Sequence, residues 1–386
     1  MRSMRGDTGN LETNMTTKPT WKKLSLMTAI SVVATGTAWA QPEFDVRGRA
    51  HFDTAFVDAD KNPELGSGTL LRRGRLGVNG DLTDDWDFQI EYDFAGGSAT
   101  ANDVRLRRTL GPGRVIIGQV KVPMGLNELG SSNNITFIER SAPSNLVADS
   151  RRLGLSYHMS QGPVTFQSMV YTNAINQSNT GNDPVGVAGR VVFNPVNDGS
   201  NVIHLGLSAA VEDLGTTSSI RLRERPESRP ANGVRVIDTG SISDVSSTAK
   251  MGLELAYQAG PFSAEAEYLN VNLDRDGASS PSFGGYHVQA SYVLTGESRS
   301  YGNGVFGGIS PAGSNGAWEV AARYSSADLD DSGIVGGGMD NVTLAVNYYV
   351  SSNLRFMANL IFSDVTDGRF GDENVNIFLM RAAYSF

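Results

Sequence analysis

The chain has 386 residues, 44 glycines, no cysteine and a formal net charge of −9. The missing cysteines exclude disulfide frameworks and thiolate metal sites, and no run of about 20 apolar residues follows the N-terminal region, which excludes a transmembrane helix beyond it. The acidic balance argues against nucleic acid as a partner, whereas a transmembrane β-barrel passes every one of these tests, because its strands are only half apolar.

Residues 1–40 read as an export signal. Lys18, Lys22 and Lys23 form a basic flank, "LSLMTAISVV" (24–33) is an apolar run too short to span a bilayer, and "AWA" (38–40) is an A-x-A cleavage site. The predicted mature chain starts at Gln41. Residues 1–17 have no place in such a signal, which makes Met15 a candidate start. Residues 1–40 carry five Lys/Arg and two Asp/Glu, leaving 27 basic and 39 acidic residues and a net of −12 for 41–386.

From residue 43 onward, apolar and polar residues alternate with period two, and no segment carries a helical stripe of three turns. In the first predicted strand Phe44, Val46, Ala50, Phe52 and Phe56 share one face, and Arg47, Arg49, His51 and Asp53 the other. In the second, Leu70, Leu76 and Val78 are assigned to lipid and Arg73 and Arg75 to the interior. Arg72 falls on the outer face. In the third, Phe88, Ile90, Tyr92 and Phe94 face out, and Asp87, Glu91 and Asp93 face in. In the fourth, Val104 and Leu106 face out, and Arg105 and Arg107 in. Neighbouring antiparallel strands then give an inner wall of basic, basic, acidic and basic rows. Two readings stay open: mutual cancellation of these charges, or a net basic patch.

The pattern repeats to the end of the chain. "GPFSAEAEYLN" (260–270), "GYHVQASYVL" (285–294), "AWEVAARYSS" (317–326) and "NVTLAVNYYV" (341–350) all alternate. Ten-residue alternating segments separated by turn residues are the mark of an outer-membrane barrel, and Tyr268, Tyr286, Tyr324 and Phe362 suit its aromatic girdles. Sixteen strands are predicted, near 43–57, 68–80, 86–94, 103–110, 113–120, 151–159, 162–173, 186–195, 201–213, 247–258, 261–273, 285–296, 316–327, 340–350, 353–365 and 374–386. A soluble sandwich would have shorter strands and no need of an unbroken series ending on an aromatic. The terminal "RAAYSF", with Tyr384 and Phe386, resembles the signal that such barrels present to their assembly machinery.

Four connections stand out for length, at 121–150, 214–246, 297–315 and 328–339, and all four are expected on the extracellular side. Lys121 opens the first and is the candidate constriction lysine. The second contains "SIRLRERPESR" (219–229), in which Arg221, Arg223, Arg225 and Arg229 all fall on odd positions. If that loop enters the vestibule they form a ladder of anion contacts, since rows of Arg select anions and their donor forks suit phosphate oxygens. In the competing reading the loop is exposed and its arginines pair with Glu224, Glu227 or lipopolysaccharide phosphates. Pro226 and Pro230 oppose regular sheet pairing there. The inward acids Asp87, Glu91, Asp93, Glu265 and Glu267 leave room for weak selectivity.

"LLRRGRLGVNGDL" (70–82), "GQVKVPMGLNELGSSNNITFIERS" (118–141) and "IRLRERPESR" (220–229) followed by "VIDTG" (236–240) resemble the phosphate-selective porins O and P of Gram-negative outer membranes. The likeness runs over nearly all of 43–386. It implies a sixteen-stranded homotrimeric porin in the outer membrane, in contact with lipid and lipopolysaccharide. It also implies an inward-folded third loop and a basic path for small anions, phosphate among them. An outer-membrane enzyme is the main competing class. The histidines His51, His158, His204 and His287 sit in no catalytic motif, and HExxH, GxSxG and P-loop patterns do not occur. No catalytic residue, metal or cofactor is predicted. "DLDDSG" (328–333) is acidic enough for a divalent cation and reads better as a solvated loop.

Overall fold

The structure is a computed structural model that describes residues 43–177, 181–216 and 218–386. The predicted export signal, 1–40, lies outside them. Among the described residues sixteen antiparallel strands form a closed barrel. In chain order they are β1 Glu43–Ala59, β2 Gly68–Asp81, β3 Trp86–Asp93, β4 Thr100–Leu110, β5 Gly113–Lys121, β6 Arg151–Gln161, β7 Val164–Tyr171 and β8 Val185–Asn197. They continue with β9 Asn201–Asp213, β10 Val245–Ala259, β11 Phe262–Arg275, β12 Ser282–Val293, β13 Ala317–Asp331, β14 Ile334–Tyr349, β15 Leu354–Gly368 and β16 Gly371–Ser385. Each predicted strand overlaps one of them.

The alternation works as expected on the outside. Phe44, Val46, Phe52 and Phe56 are more than half exposed, while His51 and Asp53 between them are fully buried. Outward rings form two girdles. Trp318 stacks on Tyr348 at 4.5 Å near the end carrying the short turns, and Tyr286 meets Tyr324 at 5.9 Å further along the wall. By the rule that turns are short on the periplasmic side, this end is periplasmic.

β16 closes on β1 with Arg49 opposite Ser385 and Ala59 opposite Val375. At the seam Phe386 and Gly48 exchange two backbone hydrogen bonds of 3.0 Å. The Phe386 ring lies over Gly48 so closely that a Cβ there would sit 2.5 Å from it. Only glycine leaves the ring its place. Deleting Phe386 removes both bonds and the ring that covers the seam. We expect a severalfold loss of assembled barrel in outer-membrane fractions, with unaltered conductance in the channels that do form. Normal assembled yield would contradict this.

Three strand-level expectations need correction. First, β1 and β2 slip register between His51 and Phe52, so that His51 opposes Arg73 while Phe52 opposes Leu71. Arg72 is the extra residue of a β-bulge, and a bulge turns the parity of everything beyond it. Arg72 therefore points inward, Leu71 faces lipid at 40% exposure, and Leu70 pairs with inward Asp53. Second, 328–339 is no long loop: β13 and β14 run on to a two-residue turn, and Asp330 spends one carboxylate oxygen on the Gly336 and Gly337 amides. Third, 294–316 joins β12 to β13 at the periplasmic end, not the extracellular one.

Half of the lumen is filled. Leu269, Leu273, Ile361, Ile377 and Leu379 point inward and are almost fully buried, together with Val122, Met124, Ile138 and Val147 of the third extracellular loop. That loop, 122–150, carries two short helices, α1 Leu126–Leu129 and α2 Ala142–Val147. It lies inside the barrel against β11–β13, and the open path is pushed to the opposite wall, β1–β6.

Candidate functional site: the arginine path

Three cavities that share lining residues follow one another along that wall. The upper basin, about 340 Å³, is lined among the described residues by nine arginines and four glutamates. The lower chamber, about 650 Å³, is lined by eight arginines, Lys121 and one carboxylate, Asp103. The mouth, about 560 Å³, has Arg47, Arg105 and Arg107 facing Glu43, Asp45, Asp81 and Asp87. Arg73, Arg75, Arg140 and Arg151 line both the basin and the chamber, so they mark the join. Arg47, Gln89, Arg105 and Arg107 line both chamber and mouth.

The inward acids are clamps rather than a competing ring. Asp87 accepts Arg105 at 3.0 Å and Arg107 at 2.6 Å. Asp93 accepts Arg75 at 2.9 Å, and Glu91 lies within 3.7 Å of Arg47, Arg49 and Arg75. Asp103 takes Arg151 with both oxygens, at 2.9 and 3.0 Å. Each pairing holds a guanidinium in one orientation while leaving part of its donor fork free. Arg73 is different. It is 3% exposed, and its Nε and Nη1 find no partner among the described residues. Buried donors without acceptors are costly, and Arg73 has donors free for an acceptor in the cavities it lines.

Lys121 borders the lower chamber, but its amine is held by the carbonyls of Glu128 and Gly130 and lies 3.5 Å from the Glu128 carboxylate. It braces the third loop. Arg140 does likewise, donating to the carbonyls of Asn127, Glu128 and Gly130 at 2.8 to 3.0 Å. Glu139 is gripped by Arg72 at 2.6 and 3.0 Å and by Arg381 at 3.1 Å. Burial would raise its pKa, but Arg72 and Arg73 hold the carboxyl well below the usual range.

The fifth extracellular loop, 214–244, crosses the extracellular opening of the barrel. Two small pairings, Ser219–Ile220 with Ile242–Ser243 and Arg223–Glu224 with Ile237–Asp238, make it a hairpin, and its tip reaches Glu64 and Arg369 on the far side. Glu224 is buried and Arg221 and Arg223 are exposed, while Arg225 is half-buried, donating Nε to the Gly233 carbonyl at 3.0 Å and lying 3.9 Å from Glu224. Arg221 is tied to Asp238 at 2.7 and 2.5 Å and lies outside the basin lining. Arg223, Arg225 and Arg229 line the basin, joined by Arg235. Burial and then Arg229 and Arg235 push Arg225 down to about 10, so it stays charged at neutral pH. Glu227 does not pair with the ladder. It sits in left-handed backbone (φ 48°) and is taken by Arg323, Ser325 Oγ at 2.6 Å and the Ala142 amide at 2.9 Å. That pins the two loops to each other and to the wall.

Glu265 and Glu267 lie off the path. Glu267 accepts the first amides of α1, Leu126 at 2.5 Å and Asn127 at 3.2 Å, a capping role that the local residue Gly125 cannot fill. His287 bonds Ser141 Oγ at 3.0 Å and Glu265 at 3.1 Å. Replacing Glu267 by alanine strands two buried amides at about 1–3 kcal/mol each. The third loop should then sample displaced positions at least tenfold more often, and single-channel traces should flicker. A trace as quiet as wild type would show that the loop is held elsewhere.

Sequence reading put Arg72 on the wrong face and missed Arg140, Arg151 and Arg235. It also missed the inward fold of 294–316, where Tyr301–Gly302 pairs with Val305–Phe306. The turn is Asn303-Gly304, both with positive φ (52° and 72°), as a tight type I′ hairpin requires. Tyr301 Oη meets His204 Nδ1 at 2.6 Å, and the Gly304 carbonyl accepts from Arg190 at 2.8 Å. This hairpin lines the lower chamber from inside the barrel.

A closed sixteen-stranded barrel, apolar outside, girdled by aromatics and open along a polar path, is an outer-membrane porin. Residues 44–386 match the family described as phosphate-selective porin O and P, and the chain belongs to that family. Porin O of Pseudomonas aeruginosa is 27% identical over 392 residues, covering 89% of this chain and 88% of that one. An uncharacterized protein of Caulobacter vibrioides is 30% identical over 356 residues, covering 86% and 72%. The solved trimer form of OmpT, an outer membrane protein of Vibrio cholerae, superposes with a TM-score of 0.58 at 14% identity, over 89% of this chain and 99% of that chain.

Proposed function

We propose that the porin conducts small anions by passive diffusion, with phosphate or polyphosphate as the candidate cargo. The supporting observation is the join of basin and chamber at Arg73, Arg75, Arg140 and Arg151, with Arg73 lacking a fixed partner. An anion captured by Arg223, Arg225, Arg229 and Arg235 passes to this join and then along Arg47, Arg49, Arg105 and Arg107. Several weak sites in series let it both enter and leave. The acids of the mouth favour release on the periplasmic side. The reading includes export by residues 1–40, a homotrimer, contact with lipid and lipopolysaccharide, use of Tyr384 and Phe386 by the assembly machinery, and no catalytic activity. The test is the reversal potential of single channels across a salt gradient, with and without phosphate. Anion preference with block of chloride current by phosphate is expected, and cation preference would leave a general diffusion porin.

A further inference from the structure

The lower chamber has two unlike sides. One carries the guanidinium groups of Arg47, Arg75, Arg105, Arg107 and Arg151. The other carries Leu129 from the third loop and Tyr301, Val305 and Phe306 from the periplasmic hairpin, all of them partly exposed; the buried Ile116 and Val120 of β5 add apolar surface on the wall between the β4 arginines and Arg151. The upper basin has no such side: Ala148 is the one apolar residue in its lining among the described residues. The apolar side is also fixed in place. Tyr301 is held by His204, its ring meets Phe306 edge-on at 5.1 Å, and Arg190 holds the turn.

A bare inorganic anion gains nothing from Leu129, Val305 or Phe306. Leaving apolar surface in water inside a charged pore is unfavourable in proportion to its area. A flat apolar body recovers that area and also stacks on guanidinium planes. The volume, about 650 Å³, suits a small organic molecule. Resting on the anion-path reading above, we propose that the lower chamber selects organic anions with a compact apolar or aromatic body over inorganic or methyl-sized anions of the same charge. Such a cargo would be an aryl carboxylate, an aryl sulfonate or a phosphate monoester.

The test uses benzenesulfonate and methanesulfonate, which carry one fixed charge each, as blockers of chloride current through single channels of the whole protein, added from the periplasmic side. Benzenesulfonate should block at about tenfold lower concentration, the order expected from burying part of one ring. Phe306→Ser and, separately, Leu129→Ser should reduce that ratio at least threefold. Equal block by the two sulfonates in a wild-type pore that prefers anions overturns the two-sided chamber and leaves the anion path standing. A pore without anion preference overturns the anion path itself, and the proposal with it. A wild-type ratio that survives both substitutions also overturns the proposal, because the preference then arises outside this chamber.

Discussion

Exchanging Arg73 and Arg75 together for glutamate should reverse the sign of the reversal potential, turning an anion-preferring pore to cations. Both residues line the join of basin and chamber, which the proposed anion path crosses. The double exchange moves the local charge by four units. At an effective dielectric constant near 20, one unit charge 8 Å from an ion contributes about 2 kcal/mol, so the change exceeds any plausible wild-type preference. The two positions differ in what surrounds them. Arg75 is clamped by Asp93 and Glu91, so its loss also unmasks two acids. Arg73 has no acid clamp of its own. Arg73→Glu alone should therefore give the cleaner loss of anion preference, and Arg75→Glu the larger disturbance of the wall. Arg223→Glu with Arg225→Glu should mainly weaken anion capture, because both belong to the extracellular loop and Arg223 is exposed to solvent, where salt screens its charge. An unchanged reversal potential in the Arg73, Arg75 double variant would mean that ions take another route.

The strands were legible because a half-buried sheet imposes period two on its sequence, and all sixteen candidates found a counterpart. Charge placement was legible only as far as parity held. Arg105, Arg107, Asp87 and Glu91 lie as their odd numbers require, whereas the bulge beside His51 reversed Arg72 without leaving any trace in composition. Loop side chains such as Arg140 and Arg235 have no period to read. The fifth loop is a partial exception: short hairpin pairing makes Arg223 and Arg225 alternate, yet nothing in "SIRLRER" shows that Arg221 is spent on Asp238. The periplasmic hairpin did carry a signal, Asn303-Gly304 between apolar residues, but length argued for the outer side. The filled half of the lumen also left a mark. In β11 the inward positions change from Ser263, Glu265 and Glu267 to Leu269, Val271 and Leu273. From Leu269 on, the apolar face is the inner one and Asn270, Asn272 and Asp274 lie outside, so the inner face must meet something other than water, and here it meets the loops.

The second large effect is expected at the seam. Asp53 on β1 and Arg381 on β16 are fully buried and form a double hydrogen bond of 2.6 and 2.7 Å across the joint that closes the barrel. Arg381 also donates to the Ile138 carbonyl at 2.5 Å and to Glu139 at 3.1 Å, so it ties the third loop to the seam. Removing one member of a buried pair leaves the other charge without compensation, at about 3–5 kcal/mol, while replacing both by apolar groups is often far milder. Arg381→Leu strands Asp53 and two acceptors of the loop. Asp53→Leu strands a guanidinium that still has Ile138 and Glu139. Either change should lower the temperature at which the folded, fast-migrating barrel is lost in cold detergent gels, and Arg381→Leu should lower it further. Combining the two should cost less than their sum, the mark of a direct interaction. Additive losses would show that the two residues act separately, with Arg381 serving the loop and Asp53 only the wall.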